Sequence, residues 1–329
     1  MKLRPFGNDA AQVSEIGLGC WQLGGSDWGD LPESDALGVL KAAADTGVTL
    51  LDTADVYGLG RSEELVGKFL KAAGRQRFFV ATKLGRFPQP GWPANFTPAA
   101  IRAHTEASLK RLGVDAIDLT QLHCVPPEVL TRDDTWEALR GLVKEGKIKR
   151  FGASVESVAE AKECIRQADC ASLQLIVNVF RQTPVVELFD RCEREGVAVI
   201  VRLPLASGLL AGKYTAGTTF PPQDHRTYNR DGAAFNVGET FAGLPFAKGV
   251  GLVEQLRPLV PAGYTMAEFA VRWCLDYPAV TTVIPGARTP AQATANAAAA
   301  ARPPLPKELH AALREFFRAA VRPHVRGPD

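Results

Sequence analysis

The chain has 329 residues, 46% of them hydrophobic and 22% charged, which is enough apolar material for a sizeable core and too much for large-scale disorder. Lysine and arginine number 38 against 36 aspartates and glutamates, a formal net charge of +2, and no basic run interleaved with aromatics offers a track for nucleic acid. Six cysteines with no CxxC pair (Cys20, Cys124, Cys164, Cys170, Cys192 and Cys274) sit in apolar segments and are expected to be reduced, buried thiols rather than metal ligands.

The opening MKLRPFGNDA is charged and lacks an apolar core, and no run of about 18 apolar residues occurs anywhere, so neither a signal peptide nor a membrane span is predicted. A soluble, cytoplasmic protein is expected. Residues 2–16 predict a β-hairpin around Gly7-Asn8-Asp9 that closes the N-terminal mouth of the domain. Short apolar runs then recur in order: IGLGC near 16, VTLLDTA at 48, FFVAT at 78, AIDLTQLH at 116, RFGAS at 150, LQLIV at 173, VAVIV at 197 and VTTVIP at 280. Between them, helical periodicity marks 34–46, 97–112, 134–145, 157–168 and 183–195. Thr97 before Pro98 reads as a helix start, and Gly47, Gly113, Gly146 and Gly196 each close a helix ahead of the next strand.

Eight continuous apolar strands alternating with helices, without a linker, predict one (β/α)8 TIM barrel over residues 1–329, with the loops of its C-terminal face forming the active site. An open dinucleotide-binding sheet would want GxGxxG after its first strand, and GLGCWQLGG at 17–25 lacks that spacing. The stretch 204–245 is too long for a connection and reads as a lid over the C-terminal face. An alanine-rich segment at 291–301 follows the last strand with Pro290 at an early helical position, and the final RPHVRGPD is expected to fray.

In such a barrel, polar residues at the strand ends project into the site. Asp52 ends the second strand with Tyr57 five residues later, Lys83 ends the third, His123 the fourth, Ser154 the fifth and Arg202 the seventh. A buried carboxylate and ammonium on adjacent strands should pair, and Lys83 beside Tyr57 is expected to lower the phenol from its ordinary pKa of about 10. His123 can then donate to a carbonyl oxygen held within reach of the Tyr57 hydroxyl, an arrangement suited to carbonyl reduction. Trp21, Trp28 and Trp92 fall in loops at the same mouth and, with Tyr57 and His123, are candidates to line a substrate pocket. Taken singly these residues have blander readings: Asp52 a turn residue, His123 a satisfied core histidine, Arg288 a solvated charge at a helix start. The joint arrangement is what raises the functional one.

LLDTADVYG at 50–58, ATK at 81–83 and LTQLH at 119–123, accompanied in order by GKIKRFGAS, VRLPLASGLLAGKY and IPGARTPAQATAN, resemble the aldo-keto reductases over most of the chain. The resemblance implies that Asp52, Tyr57, Lys83 and His123 form a catalytic tetrad, with Tyr57 as general acid in reduction and general base in oxidation. Hydride would come from NADP(H), with NAD(H) as the alternative. It implies cofactor contacts from Gly19, Cys20, Trp21 and Asp52, and from Ser154 and Gln174 to the nicotinamide carboxamide. Arg202, Leu203 and Pro204 would lead into a loop, with Leu205, Ser207, Gly208 and Leu210, that folds with Lys213 over the pyrophosphate. Ile284, Gly286, Ala287, Arg288, Gln292 and Asn296 would hold the adenosine end, where backbone N–H groups at a helix start beside Arg288 suit a 2′-phosphate. Three departures stand out: Arg202 where many relatives carry an aromatic residue, Val155 where they often have Asn, and Gln292 and Ala295 in place of a basic and an acidic residue. The expected partner is a small carbonyl or alcohol, with no metal, nucleic acid or membrane, and the expected assembly a monomer or small homo-oligomer. Two other readings of the same barrel are a Schiff-base aldolase using Lys83 and a non-catalytic NADP(H)-sensing barrel.

Overall fold

A computed structural model describes residues 1–328. The chain opens with an antiparallel hairpin, β1 (Leu3–Pro5) and β2 (Gln12–Ser14). Its turn puts Gly7 at φ +61°, where a Cβ would stand 2.2 Å from the Gly196 carbonyl oxygen, so only glycine permits this approach. Phe6 packs its ring 4.7 Å from that of Phe79 and joins Val13, Leu50, Leu119, Ile200 and Ile284 in a separate apolar cluster. The hairpin thereby plugs the N-terminal mouth, as the sequence suggests.

The barrel strands are β3 (Leu18–Gly19), β4 (Leu50–Asp52), β5 (Phe79–Leu84), β6 (Leu119–His123), β7 (Phe151–Ser154), β8 (Cys170–Ile176), β9 (Ala198–Arg202) and β10 (Val280–Val283). They pair in parallel in sequential order. Parallel bridges from Ile16 to Val283 and from Gly19 to Gly286 join the first strand to the last and close the ring. Every residue of β5 and β6 is buried, the expected state of strands covered by side chains within the barrel and by helices outside.

The outer layer and connections hold α1 (Glu33–Asp45), α2 (Arg61–Ala73), α3 (Pro98–Leu112), α4 (Pro127–Leu130), α5 (Asp133–Lys144), α6 (Val158–Ile165), α7 (Thr183–Glu187), α8 (Phe189–Glu195), α9 (His225–Tyr228), α10 (Phe246–Leu256), α11 (Met266–Leu275), α12 (Pro290–Ala298) and α13 (Lys307–Phe316). Thr97 caps α3 by accepting from the Ala100 N–H, and Gly113 and Gly196 end α3 and α8 in the left-handed conformation. The helix expected over 183–195 is instead two: Leu188 leaves helical geometry at φ −130°, ψ −37°, so that it and the adjacent Phe189 are both buried. Among the described residues no helix is long and apolar enough to cross a membrane.

The segment between β9 and α10 is built of short turns and α9, packed on the C-terminal face. The chain end corrects the expectation of fraying. Arg326 donates its backbone N–H to the Gly243 carbonyl at 3.2 Å, and its guanidinium reaches Gly243 O at 2.9 Å, Asp231 Oδ1 at 2.6 Å and Arg230 O at 3.1 Å. The tail is strapped across the lid because one arginine finds several acceptors there. Asp329 lies outside the described residues.

Candidate active site

β4 ends in Leu50-Leu51-Asp52, and the chain turns to bring Tyr57 back over the strand ends. Gly58 allows that turn at φ +59°: a Cβ there would sit 2.3 Å from the Gly24 carbonyl oxygen, so the Tyr57 turn and the 21–25 segment touch backbone to backbone. Lys83, on the neighbouring strand, donates to Asp52 Oδ1 at 2.5 Å, to the Thr53 carbonyl at 2.9 Å and to the Tyr57 hydroxyl at 3.2 Å. Asp52 Oδ2 accepts from Gln174 at 2.7 Å and from Gln121 at 3.3 Å. The His123 ring lies edge-on to Tyr57, centroids 6.0 Å apart. The geometry thus brings Asp52, Tyr57, Lys83 and His123 to one place from three successive βα units and adds Gln121, which sequence reasoning misses. A signal existed: Gln121 and His123 are two apart on one strand and share a face.

Burial opposes the charge on Lys83, but Asp52 and Tyr57 outweigh it and hold the ammonium above the ordinary lysine range. A charged Lys83 whose N–H groups are all engaged has no lone pair to attack a carbonyl, which counts against the Schiff-base reading. The expectation for Tyr57 is corrected: burial pushes its hydroxyl up to about 12, because desolvation of the phenolate exceeds the pull of Lys83. Burial, then Arg86, Lys83 and Arg202, hold His123 well below the usual histidine range, so its ring is neutral. A neutral phenol and a neutral imidazole are two hydrogen-bond donors at one spot.

Trp21 covers Tyr57, with ring centroids 6.0 Å apart and planes at 23°. Trp28 meets Trp21 edge-on at 5.5 Å, and the lid adds His225, 4.8 Å from Trp21, and Phe235, 6.2 Å from it. Asp27 ties this roof together by accepting from the Trp21 indole at 2.9 Å and the Tyr228 hydroxyl at 2.6 Å. Trp92 is not part of it: it stands 58% exposed on the loop after β5. His225, Phe235 and Asp27 were missed because loop residues follow no periodic pattern. A cleft of about 840 Å³ lies on the outer side of the Tyr57 turn, between the 24–32 segment and Val56–Arg61, and none of the four central residues lines it.

Ser154 pairs in register with His123 on one side and Gln174 on the other, and its buried hydroxyl has no partner among the described residues. An orphan of that kind fits a ligand amide. The Gln174 amide nitrogen is held by Asp52. Leu203, Ala206, Ser207 and Gly208 take positive φ in close succession, a conformation that presents backbone N–H groups and suits a pyrophosphate. Pro204 and Leu210 are buried, Leu205 half-buried and Lys213 exposed beside this turn, while the Ser207 hydroxyl is occupied by Glu239 O at 3.1 Å. Gly19 bridges Gly286, and the Cys20 N–H donates to Asp52 O at 2.8 Å. Past β10, with Ile284 and Ala287 buried, Asn296 holds Gly286 O at 3.1 Å and Gln292 Oε1 accepts from the Arg288 N–H at 2.7 Å. The Arg288 guanidinium reaches Asp30 O at 3.0 Å, spanning from the last strand's loop to the first strand's. These residues form one continuous rim, and they fit a dinucleotide.

Arg202 is buried at the end of β9, donating to Val155 O at 3.2 Å with Nη1 3.6 Å from Glu239 Oε1. Arg86 and Glu156, neither expected from sequence, pair at 2.9 Å beside it. Cys124, Glu156 and Glu239 bring ligand-type atoms within 4.8 Å of one another, with Arg86 already facing both carboxylates and Arg202 facing Glu239.

Residues 15–318 match the family model described as the Aldo/keto reductase family. Aldo-keto reductase YhdN of Bacillus subtilis (strain 168) is 32% identical over 300 residues, covering 89% of this chain and 86% of that protein. The NADH-specific methylglyoxal reductase of Escherichia coli (strain K12) is 32% identical over 316 residues, 91% and 93% of the two chains. Among solved structures, the holo form of aldo-keto reductase AKR11C1 from Bacillus halodurans superposes with a TM-score of 0.80 at 31% identity over 98% of both chains. The glycerol dehydrogenase AKR11B4 from Gluconobacter oxydans gives a TM-score of 0.80 at 30% identity over 99% and 98%.

Proposed function

Because the chain belongs to the aldo-keto reductase family, we propose that it is an NADP(H)-dependent oxidoreductase that reduces small aldehydes and ketones, with Tyr57 as the proton donor and residues 1–329 acting as one barrel unit. The observation that carries this reading is the buried chain of contacts from Asp52 through Lys83 to the Tyr57 hydroxyl, with His123 beside it. A bound reduced nicotinamide would supply the hydride. Tyr57 and His123 both donate to the substrate oxygen, which raises the electrophilicity of the carbonyl carbon, and Tyr57 gives up its proton as the oxygen becomes alkoxide. Lys83 then stabilises the phenolate left behind, and Asp52 keeps Lys83 in place. The roof of Trp21, Trp28 and Phe235 keeps bulk water from the developing charge. With its pKa raised to about 12, Tyr57 stays a neutral phenol near neutrality, the protonation state that reduction needs.

Ser154 and Gln174 would hold the carboxamide, the turn from Leu203 to Leu210 with Lys213 the pyrophosphate, and Arg288, Gln292 and Asn296 the adenosine end, where Arg288 favours a 2′-phosphate and hence NADP(H). Methylglyoxal and glycerol, named in two relatives, each carry an oxygen on the carbon next to the reacting one, and we take a small neutral carbonyl compound of that kind as the substrate. The six buried, unbridged cysteines fit a reducing cytoplasmic setting.

The test joins thermal shift with NADPH and NADH to turnover on a carbonyl panel. Tyr57→Phe should keep the nucleotide-induced shift and lose about 10³-fold in turnover. Wild-type turnover in that variant would overturn the reading, and a nucleotide shift without wild-type turnover on any carbonyl would mark a non-catalytic sensor.

A further inference from the structure

Beside the tetrad, four charged side chains form one linked cluster, in the order Glu156, Arg86, Glu239, Arg202. Arg86 Nη2 donates to Glu156 Oε1 at 2.9 Å, and Arg86 Nη1 stands 3.6 Å from Glu239 Oε1. Arg202 Nη1 lies 3.6 Å from the same Glu239 oxygen. The Cys124 thiol, pushed up to about 12 by burial, stays protonated 3.7 Å from that oxygen and adds no charge. Two guanidiniums and two carboxylates balance, so the cluster as a whole is neutral.

A cluster serving structure alone would use its donors, since buried polar groups left unpaired are costly. This one does not: among the described residues Arg202 Nε is buried with no partner, and Arg86, 22% exposed on the same mouth, makes a single hydrogen bond, to Glu156, which leaves N–H groups open to a ligand. Arg86 also lies 5.9 Å from the Phe235 ring, the same ring that packs against Trp21 over Tyr57. Its guanidinium therefore links the neutral cluster to the aromatic roof. It is also the largest single charge acting on His123.

We propose that Arg86 donates a hydrogen bond to an uncharged oxygen on the carbon adjacent to the one reduced, and so selects neutral α-hydroxy or α-oxo carbonyl compounds. The inference rests on the reductase reading above. Tyr57 and His123 fix the reacting oxygen, and a donor under the Phe235 side of the same roof can meet the neighbouring substituent. A hydroxyl or carbonyl oxygen needs only an N–H that Arg86 has unused. An anionic group would add an uncompensated negative charge to a cluster whose own charges already balance.

The experiment measures kcat/KM for glyceraldehyde, for propanal, which lacks the second oxygen, and for glyoxylate, which is anionic, in the wild type, Arg86→Met and Arg86→Lys. A site built to bond a substrate oxygen rejects analogues without it strongly, so the wild type should favour glyceraldehyde over each of the others by about 100-fold. Arg86→Met should collapse the glyceraldehyde-to-propanal ratio toward unity, and Arg86→Lys should restore part of it. A ratio unchanged in Arg86→Met, or a wild type that prefers propanal or glyoxylate, overturns the assignment while leaving the reductase reading intact. Absence of turnover on all three with either nicotinamide overturns both. Because the readout is a ratio between substrates on one protein, a general loss of fold in a variant cannot imitate it.

Discussion

Tyr57 and His123 are both neutral by environment, and this sets the pH behaviour of the reaction. With Tyr57 near 12 and His123 far below its usual range, neither changes protonation across neutrality, so the turnover number for reduction is expected to be flat from about pH 6 to 9. A limb centred near pH 7 in that profile would show that one of the two titrates there after all. Lys83 has a second role that stability measures directly. Replacing it by methionine leaves the Asp52 carboxylate buried with only the amides of Gln121 and Gln174 as partners. Removing one member of a buried pair costs about 3–5 kcal/mol, and the remaining amides put the expected loss for Lys83→Met toward the lower figure. Urea unfolding checks it, and a loss under about 1 kcal/mol would mean the pair contributes little to the fold.

The turn between β4 and α2 rests on α3 through a second buried carboxylate. Asn95 gives its amide N–H groups to Gly85 O and Phe87 O, so its carbonyl oxygen faces His104 Nε2 at 3.0 Å and accepts a hydrogen bond from that nitrogen. His104 Nδ1 is then the acceptor, 3.6 Å from Asp55 Oδ2. Burial and then the charge of Glu63 push the Asp55 carboxyl up to about 8, against the opposing pull of Arg111 and Lys83. The folded protein thus keeps a proton that the unfolded chain has released above about pH 4, and stability falls as pH climbs from there through about 8. Asp55→Asn removes the titrating group, so its melting temperature should decline less than that of the wild type between about pH 5 and 9. Parallel declines in the two proteins would show that Asp55 does not hold the proton.

Over the whole molecule, what could be read from the sequence divides by how local its cause is. The strands and most helices were legible because each βα unit writes its own apolar run and its own cap, as at Thr97 and Gly113. Asp52, Lys83 and His123 were legible because a barrel points its strand ends at one place. The acidity of Tyr57 was not, since one charged neighbour can be read from order along the chain whereas burial depends on how every element packs around it. Nor was the C-terminal strap legible: Arg326 binds the carbonyls of Gly243 and Arg230, and backbone acceptors leave no mark in a sequence. That strap leads to a prediction on the lid. Arg326 is about one third exposed, so its ion pair with Asp231 is screened and Arg326→Ala should cost only about 1 kcal/mol overall. The effect should instead be local, because Arg326 bonds stretches 230–231 and 243 of the same lid that carries Phe235 and Glu239 to the site. Amide hydrogen exchange in 230–243 is therefore expected to accelerate in Arg326→Ala while β5 and β6 keep their protection. Equal exchange in lid and barrel, or none beyond the wild type in either, would show that the lid holds its position without the strap.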